Sequence, residues 1–183
     1  MPLFKSDKEK KYWLYVFLVI TAIYSTIFLA RPLIDIIQND DIAAGFFLIA
    51  MALTGLMVIA YGIKIRISNI EISIWLGIAA VYIMLMLRLG VTERSHMIEY
   101  SALALLVHQA LKERLHSQLG IWSISLLSIV LTSLIGAIDE FIQLFVPARV
   151  CDPIDIMFNS MASILAISAY LIIRWIRQHN RKE

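Results

Sequence analysis

A helix needs about 20 predominantly apolar residues to cross the hydrocarbon core of a bilayer. The chain holds five runs near that length: Tyr12–Ala30, Ile42–Tyr61, Ile70–Met86, Leu119–Ile138 and Ile154–Ile173. A segment in lipid must satisfy its own backbone hydrogen bonds, so runs like these imply helices. Composition agrees: 60% of residues are hydrophobic and only 16% charged, which is unlike a water-soluble domain. The expected class is an all-α, polytopic membrane protein whose main partner is the lipid bilayer, and no nucleic-acid partner is expected. The single cysteine, Cys151, excludes an intrachain disulfide.

The N-terminus has a basic start followed by an apolar run, in the manner of a signal peptide. Its 19 uncharged residues from Tyr12 to Ala30 are long for a signal core, and no clear small-x-small cleavage site follows. A retained first span is therefore expected. A sixth span, Ser95–Leu111, is the weakest by hydropathy, because only Tyr100–Leu111 lacks a formal charge and His108 lies within it. On hydropathy alone it could be re-entrant. The basic residues favour a crossing. Six spans with both termini cytoplasmic put Lys5, Lys8, Lys10, Lys11, Lys64, Arg66, Lys112, Arg114, Arg174, Arg177, Arg181 and Lys182 inside. Only Arg31, Arg88, Arg94 and Arg149 are then left outside, in accord with the positive-inside rule. The short loops make residues 1–183 one compact domain of six helices.

In this topology, polar groups collect at the outer ends of three helices. His96, Glu99 and Tyr100 are spaced i, i+3, i+4 and share a face. Asp139 and Glu140 stand four and three residues before Gln143, so either can share its face, and Asp155 and Asn159 are four apart. Charged groups in spans are costly and normally face the bundle interior or a wet cavity, so these groups are expected to converge on one outward-opening pocket. Structural roles account for part of the set. Asp152 and Pro153 have the form of a helix start, and Asp155 lies near the exposed amides. Gln143 can hydrogen-bond between helices, while Tyr100 and Arg149 can anchor at the interface. Glu93 and Arg94 read as solvated loop charges, and His108 and Gln109 as packing partners deeper in the bundle. Trp13, Trp75, Trp122 and Trp175 fall near predicted span ends, as an aromatic belt does.

The segments "HMIEY" (His96, Tyr100), "DEFIQLFVPAR" (Asp139, Glu140, Gln143, Pro147, Arg149) and "DIMFN" (Asp155, Asn159) together resemble the VanZ-like family of bacterial membrane proteins. The resemblance covers about residues 88–170. The chain departs from the family pattern in having Ala148 where glycine is frequent, "SMASILA" after Asn159 in place of glycines, and Glu93 where lysine is common before the histidine. The resemblance implies a role in the cell envelope, at the extracytoplasmic face of the bacterial cytoplasmic membrane, associated with resistance to the lipid-bearing glycopeptide teicoplanin.

Two functions follow for the expected site. In one, it binds a lipid-linked envelope component or a lipoglycopeptide through Arg149, Gln143, Tyr100, Asp155, Asn159 and Asp139. In the other, it is a membrane-embedded hydrolase or transferase acting on a lipid-linked or acylated substrate, with Glu140 and His96 as catalytic acid and base. A third possibility is a scaffold whose polar cluster only sets helix register. A divalent metal on Asp155, Glu140 and His96 is conceivable, but no compact ligand motif supports one, so no metal site is expected and no cofactor is legible.

Overall fold

The computed structural model describes residues 4–36, 69–89, 91–146 and 152–180, with the side chains of 26–36, 69, 91–93 and 180 left aside. Five helices form in this part of the chain: α1 (Asp7–Ile36), α2 (Asn69–Arg88), α3 (Val91–Leu115), α4 (Ile121–Gln143) and α5 (Pro153–Asn180). The expected span Ile42–Tyr61 lies outside the described residues.

α4 shows most directly what kind of bundle this is. Its buried side includes Ser125, Ser128, Thr132, Gly136, Asp139, Glu140 and Gln143, at spacings of three and four. Its exposed side is an apolar stripe of Leu126, Val130, Leu134, Ile138 and Phe141. This is the reverse of a helix on a water-soluble protein, where the apolar stripe faces the core. The helix hides its polar groups and offers its apolar ones to the surroundings, as a bilayer requires. Several hydroxyls are satisfied within their own helix: Ser128 Oγ donates to the Ile124 carbonyl at 2.7 Å and Ser163 Oγ to the Asn159 carbonyl at 2.9 Å.

Three described helices, rather than the six spans expected of the whole chain, are long and apolar enough to cross a membrane by length and composition: α2, α4 and α5. The run Tyr12–Ala30 falls on α1, only part of whose side chains is described. The real departure is α3, which carries the expected segment Ser95–Leu111. It is one continuous helix of 25 residues, about 37 Å long at 1.5 Å per residue. Its low hydropathy has a physical reason. α3 is the centre of the bundle, packed against α5, α1 and α4, with Met97, Tyr100, Leu103, Ala104, Val107, His108 and Ala110 fully or almost fully buried. A helix enclosed by other helices has little lipid to face and can carry polar groups. α2 is the opposite case: it is peripheral, and Ile72, Leu76, Val81, Ile83, Met84 and Leu87 are exposed. Both helices outrun their apolar runs: α4 reaches Gln143, as the shared face of Asp139, Glu140 and Gln143 requires, and α5 continues through the basic tail to Asn180.

Ion pairs tie one end of the bundle together. Ser6 Oγ accepts from the Glu9 amide at 3.0 Å, and Glu9 Oε2 accepts from the Lys5 amide at 2.7 Å, which is close to a capping box opening α1. The other oxygen of Glu9 takes Arg114 Nη1 at 3.0 Å, and Lys5 Nζ donates to the Arg114 carbonyl at 2.7 Å, where the end of the α3 dipole favours a cation. Arg177 Nε donates to Glu71 Oε1 at 2.6 Å, joining the end of α5 to the start of α2. Arg94, expected to be solvated, is instead half-buried and donates from Nε to the Leu89 carbonyl at 2.9 Å, bracing the α2–α3 connection at the opposite end. Between the ends, His108 Nε2 meets Ser125 Oγ at 3.1 Å and packs on Tyr170, consistent with the structural role expected for it.

Glu9 lies ahead of the apolar run of α1 and has no exposed surface. Burial pushes its carboxyl pKa up, but the Lys5 amide and the Arg114 guanidinium outweigh this and hold it below the usual 4.5. A carboxyl with a depressed folded-state pKa adds stability that is present above the unfolded-state value and lost as pH falls through the folded one. Glu9→Gln should therefore lower the melting temperature of detergent-purified protein at neutral pH. The gap to wild type should close as the pH is taken below about 4.5, read by thermal unfolding across a pH series.

Candidate functional site

The opposite end of the bundle gathers the start of α3, the end of α4 and the start of α5. α4 closes with three short turns: the amides of Leu144, Phe145 and Val146 donate to the carbonyls of Phe141, Ile142 and Gln143. α5 opens as its sequence implies. Asp152 Oδ1 accepts from the Ile154 amide at 2.8 Å as an N-cap, with Pro153 at the first helical position. The Asp152 amide in turn donates to Glu140 Oε2 at 3.2 Å, which links the start of α5 to the end of α4.

Six of the eight expected site residues are buried and come together here: His96, Tyr100, Asp139, Glu140, Gln143 and Asn159. The sequence left open whether Asp139 or Glu140 faces inward. Both do, with different partners. Tyr100 Oη donates to Asp139 Oδ2 at 2.9 Å. Glu140 Oε1 accepts from Gln143 Nε2 at 3.0 Å and lies 4.0 Å from His96 Nε2. The imidazole stacks on Tyr100 with ring centroids 6.0 Å apart. The remaining two differ. Asp155 is half-buried, one turn before Asn159 and within electrostatic reach of Glu140. Arg149 lies outside the described residues, as do Pro147 and Cys151.

Asn159 is fully buried, and neither its Oδ1 nor its Nδ2 has a hydrogen-bond partner among the described residues. It lies against Gly136, a position the sequence reading passed over. A Cβ at Gly136 would come within 2.8 Å of Asn159 Cβ, 3.0 Å of Asn159 Nδ2 and 3.1 Å of Tyr100 Cε1. Gly136 is three residues before Asp139 and four before Glu140, so the i, i+3, i+4 spacing already placed it on their face. Its lack of a side chain lets α4 approach α5 at the depth of the cluster.

The cluster also bears on the metal question. His96, Asp139 and Glu140 each offer a ligand atom, and these atoms lie within 4.8 Å of one another. The trio conceived from the sequence used Asp155 in place of Asp139. The fold brings in Asp139 because α4 turns its two adjacent acids toward the same face of α3.

The order of these groups along the chain is the one quoted for the family resemblance, and the fold adds their convergence. The VanZ/LLP1 family profile matches residues 12–174. The chain belongs to the VanZ/LLP1 family. The match reaches well before the motif-bearing part and takes in most of α1. With three helices apolar and long enough to span, this VanZ-family chain is a membrane protein. No curated protein and no solved structure matches it.

Gly136→Ala tests the close approach. The blocked contact is a Cβ, which cannot swing away, so the helices must separate. Overpacking of this kind costs about 1–3 kcal/mol, and thermal unfolding in detergent should show it. Ala137→Gly, one residue along and only half-buried, should cost no more than the roughly 1 kcal/mol of helix propensity.

Proposed function

We propose that the chain is a multi-pass protein of the bacterial cytoplasmic membrane whose polar cluster opens toward the extracytoplasmic side. There it binds the polar head of a lipid-linked envelope component or of a lipoglycopeptide such as teicoplanin. In this reading α1, α3 and the run Ile42–Tyr61 also cross, which makes six spans with both termini cytoplasmic. Support for the orientation comes from the two ends of the bundle. Lys5, Lys112, Arg114 and Arg177 gather at one end with the clamps, and Asp139 and Glu140 lie at the other.

The observation that carries the binding reading is the convergence of His96, Asp139 and Glu140 in a buried position, backed by Gln143 and Asn159. Such a set accepts hydrogen bonds more readily than it donates them. It suits a headgroup rich in hydroxyl or ammonium donors, while Arg149, three residues before Asp152, supplies a fork for a phosphate or carboxylate. A second reading is favoured by one distance. His96 Nε2 and Glu140 Oε1, 4.0 Å apart, can exchange a proton through one small side-chain movement or one water. That supports a hydrolase or transferase acting on a lipid-linked or acylated substrate, with these two as acid and base.

Labelled teicoplanin binding to protein in nanodiscs, together with the teicoplanin susceptibility of cells expressing the chain, separates the readings. For a binder, wild type binds, and Arg149→Ala and Asp139→Asn each weaken binding by about tenfold or more. Glu140→Gln, which keeps shape and an acceptor, then weakens binding and phenotype together and only slightly. For an enzyme, Glu140→Gln retains binding and abolishes the phenotype. If well-expressed substitutions at His96, Glu140 and Arg149 leave both readouts at the wild-type level, neither reading stands and the cluster is a scaffold.

A further inference from the structure

Asp139 and Glu140 are neighbours on one helix, buried at 1% and 0% exposure, and their carboxylates converge on the imidazole of His96 from a second helix. Neighbouring side chains on a helix point about 100° apart, and two carboxylates in a low-dielectric interior repel. An arrangement that turns both acids toward one nitrogen is understandable if a positive charge belongs between them. The outer contacts point the same way. Tyr100 holds Asp139 by Oδ2, and Gln143 and the Asp152 amide hold Glu140 by one oxygen each. Metal-binding carboxylates are commonly oriented by such donors.

Asn159 is a second and separate observation. Its amide has no partner among the described residues, although an unbonded buried amide costs free energy. It packs against Gly136, which lies one helical turn before the acids, close to Tyr100.

We infer that His96, Asp139 and Glu140 bind one divalent cation of the zinc or manganese type, and that Asn159 faces the remaining coordination position. A ligand set of one imidazole and two carboxylates, without sulfur, suits these ions. Tetrahedral zinc with bonds near 2.1 Å places its ligand atoms about 3.4 Å apart. His96 Nε2 and Glu140 Oε1 are 4.0 Å apart and the three ligand atoms lie within 4.8 Å of one another, so the site closes around the ion by side-chain movements of about 1 Å. Three protein ligands leave a position open, as in zinc sites that act on a substrate rather than those that only hold a fold. An oxygen of water or of a headgroup would take it, within reach of the Asn159 amide. The inference rests on reading this cluster as a working site, and on no particular ligand.

The test uses the full chain in detergent, stripped with chelator, desalted and titrated with zinc or manganese alone. Wild type should retain one equivalent of zinc at micromolar or tighter affinity, with manganese weaker. Asp139→Asn, Glu140→Gln and His96→Gln should each cut zinc affinity by about 100-fold or more, and Tyr100→Phe by about tenfold through the outer contact. His116→Ala and His179→Ala, remote from the cluster, should change nothing. Circular dichroism establishes that each variant is folded, and the three ligand substitutions give independent chances of a folded reporter. X-ray absorption of the zinc-loaded protein should show only nitrogen and oxygen neighbours. No retained zinc in folded wild type, retention insensitive to Asp139→Asn and Glu140→Gln, or a sulfur neighbour from Cys151 would each overturn the inference. Teicoplanin binding measured on the same preparations keeps the two ideas apart. Binding without zinc retention sinks only the metal site, and zinc retention without binding sinks only the proposed ligand.

Discussion

The structure depends on a single constraint: a polar group facing hydrocarbon has nothing to bond to. α4 obeys it by turning inside out, with Ser125, Ser128, Thr132, Gly136, Asp139, Glu140 and Gln143 inward and an apolar stripe outward. The hydroxyls of Ser128 and Ser163 are absorbed by their own helices. The larger polar groups cannot be absorbed that way and must find one another across helices. That is why Tyr100 meets Asp139, His96 approaches Glu140, and His108 meets Ser125. Polar side chains are drawn in among the apolar core residues because the surroundings offer them no partner.

The same constraint separates the two ends. One is closed by salt bridges from half-exposed arginines to buried glutamates, Arg114 with Glu9 and Arg177 with Glu71. These clamps pair the start of one helix with the end of another and fix the antiparallel order of the bundle. At the other end the buried acids Asp139 and Glu140 accept hydrogen bonds from Tyr100, Gln143 and the Asp152 amide. Gly136 makes room there, because only a residue without a side chain lets Asn159 and Tyr100 reach the depth of those acids.

Most of the site was legible because helical spacing is a short-range rule. The i, i+3, i+4 relation put His96 with Tyr100 and Asp155 with Asn159 on common faces, and the DPID segment read correctly as a capped helix start. Hydropathy and local sequence fell short where the tertiary structure sets a residue's surroundings. α3 looked the weakest span because it is the central helix, shielded from lipid by α1, α4 and α5. Arg94 looked solvated because the nearby Leu89 carbonyl that holds it carries no side-chain signal. The Ser6–Glu9 cap was present in the sequence, but its role in pinning α1 to Arg114 required the neighbouring helix.

The sequence by itself determined that the chain is helical, that it belongs in a membrane, and which polar residues had to be hidden. Those properties follow from composition and local spacing, which need no partner. The tertiary structure alone decided that both Asp139 and Glu140 turn inward, that both come within 4.8 Å of His96, and that Asn159 packs against Gly136 beside Tyr100. Each of these depends on how far one helix is rotated and how closely it approaches the next, and contacts spread over the whole bundle set both.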